Sequence, residues 1–209
     1  MRPPADLAIV HLSGALGLDA LEELSDNPRG SFHPLQSFPA PRDPSAFRGI
    51  VVAVDATTPA LRRRLARLAR ELGARPKHVG DGQRVRYHAA AVFASNFVDV
   101  VIAEAVRLLE EIGWSEDEAT RALLPLVDGA VANIRKRGTV GALTGPIRRG
   151  DAQTVSRHLE AVDNPDLYRM LGLVALELAQ EAGLEPAAAE RTKRALTQDV
   201  AATRRSTRR

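Results

Sequence analysis

Cysteine is missing from this 209-residue chain. That excludes disulfides, zinc–thiolate centres and thiol nucleophiles at once. Aromatic side chains are scarce at 4%, with one tryptophan. Ala, Leu and Val must therefore fill the core, which favours closely packed helices. No GxGxxG, GxSxG or Walker sequence occurs. The five histidines are scattered and none falls at i, i+4 with a carboxylate motif, so no metal site is expected. Residues 1–6 have no apolar stretch of the kind that forms a signal peptide. The most apolar run, residues 89–106, is interrupted by Asn96, Asp99 and Glu104 and falls short of the ~20 apolar residues a membrane span needs. No transmembrane helix is expected, and a cytoplasmic location is the default.

What is present is ordinary for a globular protein: 44% hydrophobic and 26% charged residues. The length suits one large domain or two small ones. Net charge is +3, but it is unevenly placed. Residues 191–209 hold seven Lys/Arg against one Asp, net +6, which leaves residues 1–190 at −3. The basic character belongs to a tail expected to be solvated and disordered, not to a folded nucleic-acid-binding face.

The first ~80 residues alternate strand and helix signals. Residues 7–12 (LAIVHL) read as a buried strand ended by Ser13 and Gly14. Residues 16–24 carry apolar side chains at helical spacing. Residues 30–33 are a short extended piece stopped by Pro34, and residues 49–54 (GIVVAV) form a second buried strand. Thr58 and Pro59 open a helix as hydroxyl cap and first-turn proline. It is expected to run to Leu72, before Gly73, and residues 75–79 give a further strand. Strands apolar on both faces that alternate with helices predict a parallel sheet. After Gly80 only helices are predicted. Residues 83–112 read as one long helix, apolar nearly all round at its middle, for which a second subunit is the expected cover. Ser115 caps a helix to about Arg137. Residues 138–150 read as a Gly-rich loop, and residues 151–162, 165–182 and 186–200 as further helices.

Four places have the residue types for chemistry. The turn at Ser13 and Gly14 lets backbone approach a ligand, or is a structural turn. His33, at the end of a short strand, could move protons near neutral pH, or could bond a loop carbonyl. His88 and Asn96 are two turns apart on the long helix; the Asn side chain needs a partner in substrate, cofactor or a neighbouring helix. Arg148 could clamp a carboxylate, or pair with Asp151 while Asp151 caps the next helix.

The motifs HLSGALGLDAL, SFHPLQSFP, YHAAAVFASN and ALTGPIRRGD, in this order over residues 7–183, resemble a bacterial family of Rossmann-like proteins. That family is related to pyrroline-5-carboxylate reductase and to deazaflavin-dependent NADP oxidoreductases. The resemblance implies an α/β plus all-α protein: an incomplete Rossmann sheet over residues 1–79, then a helical dimerisation domain over residues 80–190, similar to the C-terminal domain of 6-phosphogluconate dehydrogenase. It implies an NADP or NAD cofactor with Ser13, Gly14, His33, Gln36 and Ser37 near the nicotinamide. It places His88, Asn96, Thr144 and Arg148 on the substrate side, with His33, His88 and Asn96 as catalytic candidates. Hydroxyacid dehydrogenases of this kind carry a lysine one turn before the Asn; here that residue is Val92, and His88 is the substitute.

The family pattern opens with a glycine-rich βα unit, whereas these residues match from about its fifth strand onward. A misassigned start, a decayed remnant or a separately encoded half would each account for that. The expectation is therefore an oxidoreductase acting on a small imine, carbonyl or hydroxyacid, working as a homodimer. The alternative is a non-catalytic dimeric interaction module.

Overall fold

The computed structural model describes residues 3–198. The chain divides into two compact units, residues 1–101 and residues 102 onward.

The first unit holds a four-stranded sheet in the order β1 (Ile9–His11), β2 (Arg29–Pro34), β3 (Val51–Ala56), β4 (Arg75–His78). β1 pairs parallel to β2 and β3 parallel to β4, but β2 and β3 run antiparallel. The all-parallel sheet expected from sequence is thus corrected to a mixed one. The cause lies in the connection: between β2 and β3 the chain forms only a short 3-10 turn at Pro44–Phe47. A parallel return needs a crossover element of a dozen or more residues, usually a helix. The β3 to β4 connection has one, α1 (Pro59–Glu71).

α1 forms where the sequence predicts. Thr58 accepts from the N–H of Leu61 at 3.2 Å, and Pro59 occupies the first turn. Leu61, Leu65 and Ala69 recur every four residues and are buried. They pack with Phe32, Val52, Val54 and Ala74 as the core of this unit. Each buried leucine contributes about 1.5–3 kcal/mol. The arginines at 62, 63, 67 and 70 stay off that stripe. The residue 16–24 helix is instead a 3-10 segment, Leu18–Leu24, kinked at Leu21.

The long helix expected over residues 83–112 is two helices, α2 (Asp81–Ala94) and α3 (Asn96–Glu110). Ser95 breaks them, with φ −130° and ψ −80°. The boundary between units falls inside α3. The 30 residues from Asp81 to Glu110 are long and apolar enough, by length and composition, to cross a membrane, a wider reading than the run 89–106 allowed. Nor is the stretch covered on all sides: Val85, Phe93, Phe97, Val98, Val100 and Val101 are exposed.

The second unit is helical. α4 (Glu116–Ala142) opens with the reciprocal cap of Ser115 and Glu118. Gly138 interrupts it with φ +72°, a left-handed conformation that glycine adopts without a Cβ clash. The stretch expected as a loop is therefore largely helical, including α5 (Gly145–Arg149). α6 (Ala152–Ala161), α7 (Pro165–Glu181) and α8 (Pro186–Thr197) follow, around a core of Val155, Leu159, Leu176, Ala189 and Leu196. α8 takes in Arg191 to Thr197, so the head of the expected basic tail is helix; residues 199–209 lie outside the described residues.

Candidate functional site

Three segments of the first unit meet at the carboxyl end of β2. β2 delivers His33, and the following Pro34 closes the strand. The turn after β1 brings Ser13 and Gly14. α2 supplies Arg84, Tyr87 and His88 from one face, at i, i+3 and i+4.

Arg84 anchors the arrangement. Its side chain is 1% exposed, and its guanidinium donates to the Ser31 hydroxyl and, at 3.4 Å, to the carbonyl of Ser13. Asp81, one turn earlier, lies 3.5 Å from its Nε. A charge this deep needs such partners. One turn further along α2, the hydroxyl of Tyr87 sits 2.9 Å from His33 Nδ1, the two rings edge to face. His88 stacks edge-on to His33 from the other side, with ring centroids 6.2 Å apart. Its Nδ1 is buried and has no hydrogen-bond partner among the described residues.

Burial holds His33 below the ordinary imidazole value, and the neighbouring His88 and Arg84 push the same way. His11 is lowered too, again mainly by burial and then by Arg84. Burial raises Tyr87, with Arg84 opposing. The resting state is a neutral imidazole beside a protonated phenol.

His33, Tyr87 and His88 line a cavity of about 460 Å³ with Leu35, Gln36, Ser37 and Asn96. Of the sequence candidates, the fold brings His33, Gln36, Ser37, His88 and Asn96 to one cavity, with Gly14 packed behind the two imidazoles. Ser13 is near but occupied: its Oγ accepts from the N–H groups of Ala15 and Leu16. Thr144 and Arg148 belong to the second unit. There Arg148 donates to the carbonyl of Ala182 at 2.9 Å, at the end of α7, while Asp151 caps α6 through the Thr154 N–H. Tyr87 and Arg84 were not singled out from sequence. Their signal was the spacing 84, 87, 88, which sets the three side chains on one helix face.

A family model, Domain of unknown function (DUF2520), matches residues 50–175. The chain belongs to the DUF2520 family. Comparison with curated proteins finds no match. Among solved structures, this DUF2520 chain is similar to a Bacteroides fragilis protein provisionally designated an NADP oxidoreductase: 27% identity, TM-score 0.69, 83% of this chain and 65% of that one covered. It is similar to protein TM1727 of Thermotoga maritima at 26% identity and TM-score 0.70, covering 84% of this chain and 70% of that one. Plasmodium falciparum pyrroline carboxylate reductase, solved with NADP bound, shares the fold at 14% identity and TM-score 0.51, over 90% of this chain and 69% of that one. The DUF2520 chain thus spans about two thirds of the length of these relatives. The Rossmann-like, oxidoreductase-related family and the sheet-plus-helices architecture expected from sequence are borne out.

At the turn after β1 the N–H groups are engaged within the unit. Those of Ala15 and Leu16 go to Ser13, and that of Leu18 goes to the Asp81 carboxylate at 3.1 Å. Beside the cavity, the Gln36 carboxamide and the Ser37 hydroxyl are polar groups suited to a nicotinamide amide.

Proposed function

We propose that this chain carries the reacting end of an NADP-dependent oxidoreductase acting on a small imine, carbonyl or hydroxyacid. The observation that carries the reading is the acid–base pair of His33 and Tyr87 at the end of β2, opening on a cavity of small-molecule size. The likeness to an NADP oxidoreductase at 27% identity supports it. A bound nicotinamide would supply or accept a hydride. The chain's own part is to orient the substrate and move one proton. Gln36 and Ser37 hold the carboxamide side, and Gly14, next to Ser13, lies behind the two imidazoles. His33, His88 and Asn96 surround the reacting atoms. In the second unit, the N–H groups of Arg148 beyond the one given to Ala182 suit a carboxylate.

The test is calorimetry of NADPH and NADH with the chain, followed by nicotinamide absorbance with pyrroline carboxylate, pyruvate and lactate as imine, ketone and hydroxyacid probes. Binding with turnover of one probe class is the expected result. The absence of both binding and turnover sinks the reading.

A second reading, a non-catalytic interaction module, is favoured by one observation: the turn after β1 uses its N–H donors internally. It requires that NADPH does not bind. Both readings include self-association. Phe93 and Phe97 stack edge to face across the break at Ser95, with centroids 5.0 Å apart, and are 68% and 46% exposed. A second copy of the chain is the cover we assign to this apolar stretch, in a cytoplasmic homodimer.

A further inference from the structure

We propose that Tyr87 puts its polar atom on the substrate, and that His33 is the proton store behind it. This rests on the oxidoreductase reading. His33 Nδ1 is engaged by the Tyr87 hydroxyl at 2.9 Å. His33 Nε2 faces Gly14 so closely that a Cβ built there would lie 2.7 Å away. His88 Nδ1 faces the same point, 2.9 Å from that position. Gly14 therefore lies against one imidazole nitrogen of His33 and Tyr87 holds the other, while the half-buried His33 ring still lines the cavity. A phenol hydroxyl has one donor and two acceptor places. The bond to His33 uses one, and Tyr87 lines the cavity with capacity left over.

The charge states agree with this order. The titratable and charged groups that face His33 are Tyr87, His88 and Arg84, all from α2, while the turn after β1 faces it with Gly14. In the oxidising direction the substrate O–H or N–H proton passes to the Tyr87 oxygen as the phenol proton passes to neutral His33 Nδ1. The substrate C–H bond breaks, its hydrogen leaving as hydride to an oxidised nicotinamide, and a C=O or C=N bond forms. The imidazolium then loses one proton to water. Two electrons leave the substrate and enter the nicotinamide. Reduction is the same sequence reversed, with imidazolium as the proton source.

The test uses the full chain, wild type, Tyr87→Phe and His33→Gln. Nitrogen NMR of the ring nitrogens without any ligand should show the His33 titration midpoint and Nδ1 shift moving in Tyr87→Phe; an unmoved His33 overturns the pair. In turnover, Tyr87→Phe should lower kcat by about 10²–10⁴-fold, the range of a lost acid–base group, with KM changed much less. His33→Gln should keep some turnover and lose the proton-linked limb of the pH profile. Full turnover in Tyr87→Phe, or a pH limb that survives in His33→Gln, overturns the proposal. A wild type that neither binds NADPH nor turns over any probe removes the oxidoreductase reading, and Tyr87's role with it, even where the NMR coupling persists.

Discussion

The backbone N–H of Leu18 donates to the carboxylate of Asp81 at 3.1 Å, a contact between residues 63 positions apart. The same carboxylate sits 3.5 Å from the buried guanidinium of Arg84. One side chain thus ties the turn after β1 to the first turn of α2 and balances the charge beneath the cavity. Asp81→Ala leaves a buried arginine short of its counter-charge. The expected cost is about 1–3 kcal/mol, the penalty of an unsatisfied buried polar group, discounted because Asp81 itself is half exposed. Urea unfolding checks it; an unchanged midpoint would show that Ser31 and the Ser13 carbonyl suffice for Arg84.

Gly14→Ala should disturb chemistry more than stability. The added methyl would lie 2.7 Å from His33 Nε2 and 2.9 Å from His88 Nδ1, closer than real contacts allow. The rings must give way, and the bond from His33 to Tyr87 lengthens. The expected outcome is a shifted His33 signal in the ring-nitrogen spectrum with the far-ultraviolet circular dichroism retained. An unshifted His33 would mean that the turn yields instead.

Stability should fall as pH drops below the ordinary histidine value. His11 and His33 are both lowered in the folded state, chiefly by burial. Well above 6.5, the ordinary histidine value, each is neutral whether the chain is folded or unfolded. Below it the unfolded chain takes up protons first, so unfolding is favoured, until the folded-state values are passed and the dependence flattens. His33→Gln should reduce the slope of unfolding free energy against pH in that window. A slope that is unchanged, or of the opposite sign, contradicts the assignment.

Self-association should depend on the aromatic pair at the helix break. Phe93→Glu with Phe97→Glu places two charges on the exposed apolar stretch. Sedimentation should show a homodimer for the wild type and a monomer for the double variant. A monomeric wild type would remove the dimer from both functional readings.

Much of the fold was legible because its signals are local. The apolar run over residues 49–54, the Thr58 and Pro59 start and the cap of Ser115 with Glu118 each act within a few residues, and each element formed there. The strand direction of β3 was not legible from apolar runs alone; it follows from the lack of a helix between Pro34 and Ile50. The break at Ser95 was hidden because apolar residues continue through it. At the site, His33 and His88 stood out by residue type. Arg84 resembled an ordinary surface charge, since nothing local shows that Ser31, Ser13 and Asp81 converge on it. Tyr87 was passed over beside the more conspicuous His88, although it is the residue that bonds His33.

Arg84, Tyr87 and His88 all come from one helical turn set against a rigid strand. The charge, the phenol and one imidazole are therefore inherited as a cassette of five residues. A lineage can retune this site by exchanging side chains within that turn while the sheet that presents His33 stays as it is. Diversity of chemistry among chains with this fold is expected to accumulate first in that short window.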